Sequence, residues 1–201
     1  MKLKHLIPVL ALVTSAYAAP QAFDFKDPKG VNNAVFKLDA PLESVNGSAN
    51  GISGTVNFDP ENPSATTGKI VVEGESLTVP NPMQKQHMQG PNWLDVKKFP
   101  EISFEAKSLA NVKTTDNVTT ADVTGTFTLH GVSKEITAPV KFTYLKDKLS
   151  ARVPNQKGDL LVIRANFTID RGDFNISKGQ YEDKVSDTIE LSLSIAGACA
   201  K

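Results

Sequence analysis

Apolar residues recur at every second position along most of the chain. Within residues 122–145, Val123, Gly125, Phe127 and Leu129 alternate with Asp122, Thr124, Thr126, Thr128 and His130. After a polar break, Ile136, Ala138, Val140, Phe142 and Tyr144 share a side opposite Glu135, Thr137, Lys141 and Thr143. A period of two belongs to a strand with one apolar and one wet face. The break holds one Gly and too few residues for a crossover, which predicts an antiparallel hairpin.

The same alternation marks other strands. Phe23 and Phe25 form one face; Ala34, Phe36 and Leu38 form the next, ended by Pro41. The Gly- and Ser-rich stretch 44–54 leads into Val56 and Phe58 and predicts a bent or bulged strand, because Gly in a strand supplies curvature. A strand is expected over Lys69–Val79, and others carry Ile102, Phe104 and Ala106; Leu161, Ile163, Ala165, Phe167 and Ile169; and Ile189, Leu191, Leu193 and Ile195.

One stretch, 81–90, predicts a helix. Asn81 caps it, Pro82 suits its first position, and Gly90 with Pro91 stops it. Met83 and His87, or else Gln84 and Met88, share a face at i, i+4 spacing. So short a helix needs the sheet for support, and with Trp93 and Leu94 it is expected to form an apolar lid.

About eight to ten strands with short turns and one helix indicate an antiparallel all-β domain, and a sandwich and a barrel both satisfy the pattern. A barrel leaves no exposed edges, and at about eight strands its interior is either filled by side chains or holds one small ligand.

Residues 1–19 are expected to be a signal peptide: Lys2 and Lys4 precede an apolar run, and Ala16 and Ala18 flank Tyr17 in a small-x-small cleavage signal. The domain then spans 20–201, with no transmembrane segment expected. Removing Lys2 and Lys4 from the 22 Lys+Arg leaves 20 against 22 Asp+Glu, a net charge of −2, so no nucleic-acid partner is expected. Cys199 is the one cysteine, so no intramolecular disulfide exists.

Outside the leader only His87 and His130 are available as imidazole ligands. With no Cys/His cluster, no metal site and no cofactor are expected. There is no GxSxG elbow and no phosphate loop, and no catalytic residue is assigned.

Five blocks in register resemble the YceI-like family: GTVNFDPENP over 54–63, His87-Met88 followed by WLDVKKFPEISF over 93–104, GTFTLHGVSKEIT over 125–137, RGDFNI over 171–176, and VSDTIELSLSI over 185–195. The resemblance covers nearly all of the expected mature chain. It implies an eight-stranded, antiparallel, lipocalin-like barrel in the periplasm that binds a polyisoprenoid or other long-chain amphiphilic lipid, without shared catalytic apparatus. It also makes a homodimer an expectation.

A barrel lined by Phe36, Phe58, Phe104, Phe127, Leu129, Phe142, Phe167, Leu191 and Leu193, with Met83 and Trp93 at its lid, either interdigitates into a core or encloses a tunnel for the lipid. His87 and Arg171 are the candidates for its polar head group. A lipid-modifying hydrolase or isomerase, and a secreted stress or interaction module without a ligand, are the alternatives.

Overall fold

A computed structural model describes residues 19–201. The leader expected over 1–19 therefore lies outside the described residues, apart from Ala19. In chain order the strands are β1 (Gln21–Asp24), β2 (Asn33–Asp39), β3 (Ser44–Ala49), β4 (Ile52–Phe58), β5 (Thr67–Glu73), β6 (Glu101–Thr115), β7 (Val118–Leu129), β8 (Val132–Leu145), β9 (Gly158–Asp170) and β10 (Thr188–Ala200). Helix α1 (Pro82–Gln89) lies between β5 and β6, and α2 (Leu149–Arg152) between β8 and β9.

Every pairing is antiparallel, in the order β1-β4-β5-β6-β7-β8-β9-β10-β2-β3, and an additional β1–β10 pairing closes the ring. β1 and β2 lie in succession along the same edge of β10, through Asp24↔Ala198 and Ala34↔Leu193. Their partners β4 and β3 likewise follow one another, broken only at Asn50 and Gly51. Each couple is thus one interrupted strand, and with β5 to β10 the barrel has eight staves. The bend expected in the Gly-rich stretch 44–54 is the β3–β4 break.

The β7–β8 hairpin turns on two residues, His130 (φ 51°) and Gly131 (φ 73°), the left-handed pair that matches strand twist in a two-residue turn. Val123, Gly125, Phe127 and Leu129 are buried, while Thr124, Thr126 and Thr128 are half-buried on the outer side. The tip is tethered: His130 Nδ1 lies 3.1 Å from the Phe174 carbonyl oxygen, and its ring meets Phe99 edge-on at 4.7 Å.

Three elements depart from the sequence expectation. The strand expected over Lys69–Val79 ends at Glu73, where a 3-10 turn over Gly74–Ser76 redirects the chain and leaves only a Thr78–Ser48 bridge. β6 runs on to Thr115 through irregularities between Ala106 and Ser108 and between Ala110 and Lys113, which break the period of two that exposes a strand in sequence. α2 is a second helix where one was expected; four residues are too few to show helical periodicity.

α1 has the expected cap, with Asn81 Oδ1 accepting from Met83 N at 2.9 Å and Gln84 N at 3.2 Å. Gln89 fixes its far end by donating to the carbonyls of Glu75 and Leu77.

Candidate functional site

The barrel is packed at one end and hollow at the other. Its floor is aromatic: Phe58 stacks on Phe142 at 5.6 Å, Phe23 meets Tyr144 edge-on at 6.3 Å, and Phe23, Phe25 and Leu161 are completely buried. Below the floor lies a polar cap. The buried Asp159 carboxylate accepts from Tyr144 Oη, the Asp147 N–H and Lys201 Nζ, all within 2.9 Å. Arg152 joins Asp27 and Asn32 at 2.8 and 2.9 Å.

Burial alone would raise the Asp159 carboxyl, yet those three donors outweigh it and hold the group below the ordinary carboxylate range. Lys201 is correspondingly raised, first by its hydrogen bond to Asp159 and then by that to Asp147.

Above the floor is a cavity of about 900 Å³. The transition is sharp along each stave. The lining includes Val56, Phe142, Ile163 and Leu193, whereas the next inward residues, Phe58, Tyr144, Leu161 and Ile195, belong to the floor. The wall is mostly carbon, and Glu43, Gln84, His87, Asn92, Gln180 and Lys184 are among its polar lining residues.

Of the residues singled out in the sequence, the structure brings Phe36, Trp93, Phe104, Phe127, Leu129, Phe142, Phe167, Leu191 and Leu193 around this one cavity. Two do not join them. Phe58 is 1% exposed and sits in the floor, because it is the next inward residue of β4, two positions beyond the lining residue Val56. Met83 is 67% exposed on the outer face of α1. Of the two helical pairs weighed, Gln84 and Met88 face inward, with His87 beside them at the rim.

Arg171 needs a larger correction. It is 1% exposed and reaches the cavity wall, but all five of its N–H donors are spent on backbone carbonyls. Nε donates to Ser186, Nη1 to Ile176 and Ser177, and Nη2 to Gln180 and Val185, at 2.5–3.1 Å. The guanidinium also lies 5.6 Å from the Trp93 ring. No donor remains for a head group, so Arg171 is the hub that shapes the loop over residues 176–187.

Sequence patterning missed Leu77, Ile176, Tyr181 and Val185, which line the cavity from loops and turns where no periodicity marks an inward side. For Met88 the signal was present in its spacing from Gln84. Among the described residues no three His, Cys, Asp or Glu side chains gather as metal ligands, and no helix is long and apolar enough to cross a membrane.

The model of the YceI-like domain matches residues 28–196. A UPF0312 protein of Pseudomonas putida is 30% identical over 205 residues, covering 99% of this chain and 100% of its own length. A UPF0312 protein of Yersinia pestis is 31% identical over 156 residues, 77% of this chain and 74% of the relative.

Among solved structures, Burkholderia cenocepacia BcnA superimposes with a TM-score of 0.62 at 21% identity, over 82% of this chain and 94% of that one. A polyisoprenoid binding domain from Saccharophagus degradans does so with a TM-score of 0.64 at 11% identity, over 90% and 99%. At such identities the likeness is one of fold: a closed antiparallel barrel with few helices. The family match spans the staves from β2 to β10, the lid and the Arg171 loop, and the chain belongs to the YceI-like family.

Proposed function

We propose that this protein is a periplasmic carrier that holds a polyisoprenoid or other long-chain amphiphile in its barrel, chain towards the aromatic floor and polar end at the rim. The observation that carries this reading is the carbon-lined cavity of about 900 Å³ above a sealed floor. Its size is at the upper end of the ~300–1,000 Å³ range of small-molecule sites.

Each buried methylene contributes about 0.8 kcal/mol, against an association cost of about 4–15 kcal/mol. Roughly 5 to 19 buried methylenes, about a dozen at the middle of that range, are therefore needed before binding is favourable, so long chains are preferred to short ones. The Saccharophagus domain of the same fold, described as polyisoprenoid binding, supports the ligand class. The leader-like residues 1–19 support export.

Among the described residues, the groups with displaced pKa values, Asp27, Lys37, Asp39, Tyr144, Asp159 and Lys201, stand outside the cavity lining. A lipid hydrolase or isomerase would want such a group within it, so this placement favours binding over chemistry.

Native mass spectrometry of protein purified from its own host, with lipid extraction, tests the reading. A bound species with a chain of more than about a dozen carbons is expected. Protein that stays empty when offered such lipids would refute it.

A further inference from the structure

The mouth of the cavity differs from the rest of the surface in where it exposes carbon. Among the described residues, the large apolar side chains left exposed are Val31, Val35, Leu42, Met83 and Tyr181. Val31 stands singly at the closed end, where its N–H meets Asp27, and Val35 singly on β2. The other three lie on, or next in sequence to, lining residues of the cavity, on three separate segments.

Leu42 lies in the β2–β3 turn next to the lining residue Glu43, Met83 in the first turn of α1 next to the lining residue Gln84, and Tyr181 lines the cavity itself. The segments are joined: the Leu42 N–H donates to the Asp183 carbonyl at 2.9 Å, and the Tyr181 ring lies 5.9 Å from Trp93, just beyond α1. Single exposed apolar residues are ordinary on a protein surface, but three on joined segments beside one opening are not.

We propose that the mouth docks on a phospholipid bilayer, with Leu42, Met83 and Tyr181 inserted at the interface so that the lumen opens onto the hydrocarbon. This rests on the cavity holding a long-chain amphiphile. Such a molecule leaves a membrane chain and all, and every methylene that meets water opposes the transfer. Of the exposed tips Tyr181 lines the cavity, together with Trp93, Met88 and Phe36, so apolar side chains run from the rim into the lumen.

The rim charges fit this mode of attachment. The charged lining residues are Glu43 and Lys184, of opposite sign, and Arg171, whose donors are spent on backbone carbonyls, so the lining carries no polybasic patch of the kind that seeks anionic lipid. Docking therefore depends on the apolar tips, is shallow and reversible, and works on a zwitterionic surface. A protein partner would need a continuous face of about 800 Å² on each side, whereas these tips flank a hole.

Flotation of the mature protein with phosphatidylcholine vesicles tests the proposal. Wild-type protein should float with the vesicles, and the Leu42→Glu/Met83→Glu double variant should lose roughly tenfold or more of that partitioning. Raising salt from about 0.1 to 0.5 M should change it little. Val35→Glu, away from the mouth, should have no effect. Equal partitioning of the double variant, equal loss in Val35→Glu, or failure of the wild type to bind vesicles would each overturn the proposal, the last leaving the rim to a protein partner.

A fluorescent long-chain fatty acid, delivered without vesicles, separates this from the carrier reading. Leu42 and Met83 do not line the cavity, so both proteins should take up the probe alike. Protein that binds the probe but ignores vesicles refutes only the docking; protein that cannot bind the probe refutes the carrier reading itself.

Discussion

The ring of Phe104 on β6 lies across Gly125 on β7, so that a Cβ at residue 125 would stand 2.6 Å from Phe104 Cζ and 2.4 Å from the Glu105 carbonyl oxygen. An inward position without a side chain is thus covered by its neighbour's ring, and the lumen wall is continuous there. Gly125→Ala is expected to cost about 1–3 kcal/mol in urea unfolding, as overpacking does. Adding Phe104→Leu should restore only part of it, because the backbone contact remains. Full restoration would show that the ring alone sets the fit.

Phe127 and Thr126 point to opposite sides of the same strand. Phe127 is 7% exposed and packs edge-on against Phe167 and Phe174 at 6.1 and 5.6 Å. Phe127→Lys puts an unpaired charge into carbon and should cost more than about 4 kcal/mol, with loss of lipid binding. Thr126→Lys, whose cross-strand partner is Glu135, should remain within about 0.5 kcal/mol of wild type. Thermal unfolding of the two variants decides whether the inward assignment holds.

The carbonyl cage around Arg171 predicts a stability phenotype. Arg171→Met should destabilise the barrel by about 3 kcal/mol or more and open the 176–187 loop to protease, because it strands several half-buried carbonyls at once. Arg171→Lys keeps the charge but offers three donors without the planar fork, so it should recover only a fraction. A variant of normal stability with selectively weakened lipid binding would instead return Arg171 to a head-group role.

The polar cap predicts acid sensitivity with a definite sign. The Asp159 carboxyl is depressed in the folded protein, so its contribution is complete above the ordinary carboxylate range and is lost as pH falls through the folded value, below about 4. Asp27 follows the same rule: burial would raise it, but the N–H groups of Asn32, Lys29 and Val31 and the Arg152 charge lower it. Lys201→Met removes one of the three donors to Asp159, lets that carboxyl rise, and should move acid unfolding to higher pH. Asp159→Asn should flatten the acid limb of the stability curve. Circular dichroism across a pH series measures both.

The staves were legible in the sequence because most of them keep the period of two, β9 and β10 over Leu161–Ile169 and Ile189–Ile195 above all; alternation alone fits a sandwich as well, and the eight-stranded barrel came with the family resemblance. Eight of the eleven apolar residues expected in the lumen lie around it for the same reason, and Trp93 joins them from the turn after α1. The two exceptions show where the period stops being informative. Alternation says that Phe58 points inward but not how deep it sits, and depth separates floor from cavity. In α1, Met83 and Met88 are equally apolar, and only packing on the barrel selects the Gln84–Met88 face. Arg171 was visible as part of a block, but its carbonyl partners come from a loop whose path no local pattern encodes.

The meeting of β1 and β2 with β10 has a consequence for how the molecule is made. The staves nearest the N-terminus find their second neighbour only in Thr188–Ala200, across almost the whole length of the chain. As the polypeptide emerges, residues 21–58 can form their own hairpins but have nothing to close against, and contacts so distant in sequence make closure slow. The container therefore comes into being in its final step, with the arrival of the last strand, and any cargo must enter after that through the mouth.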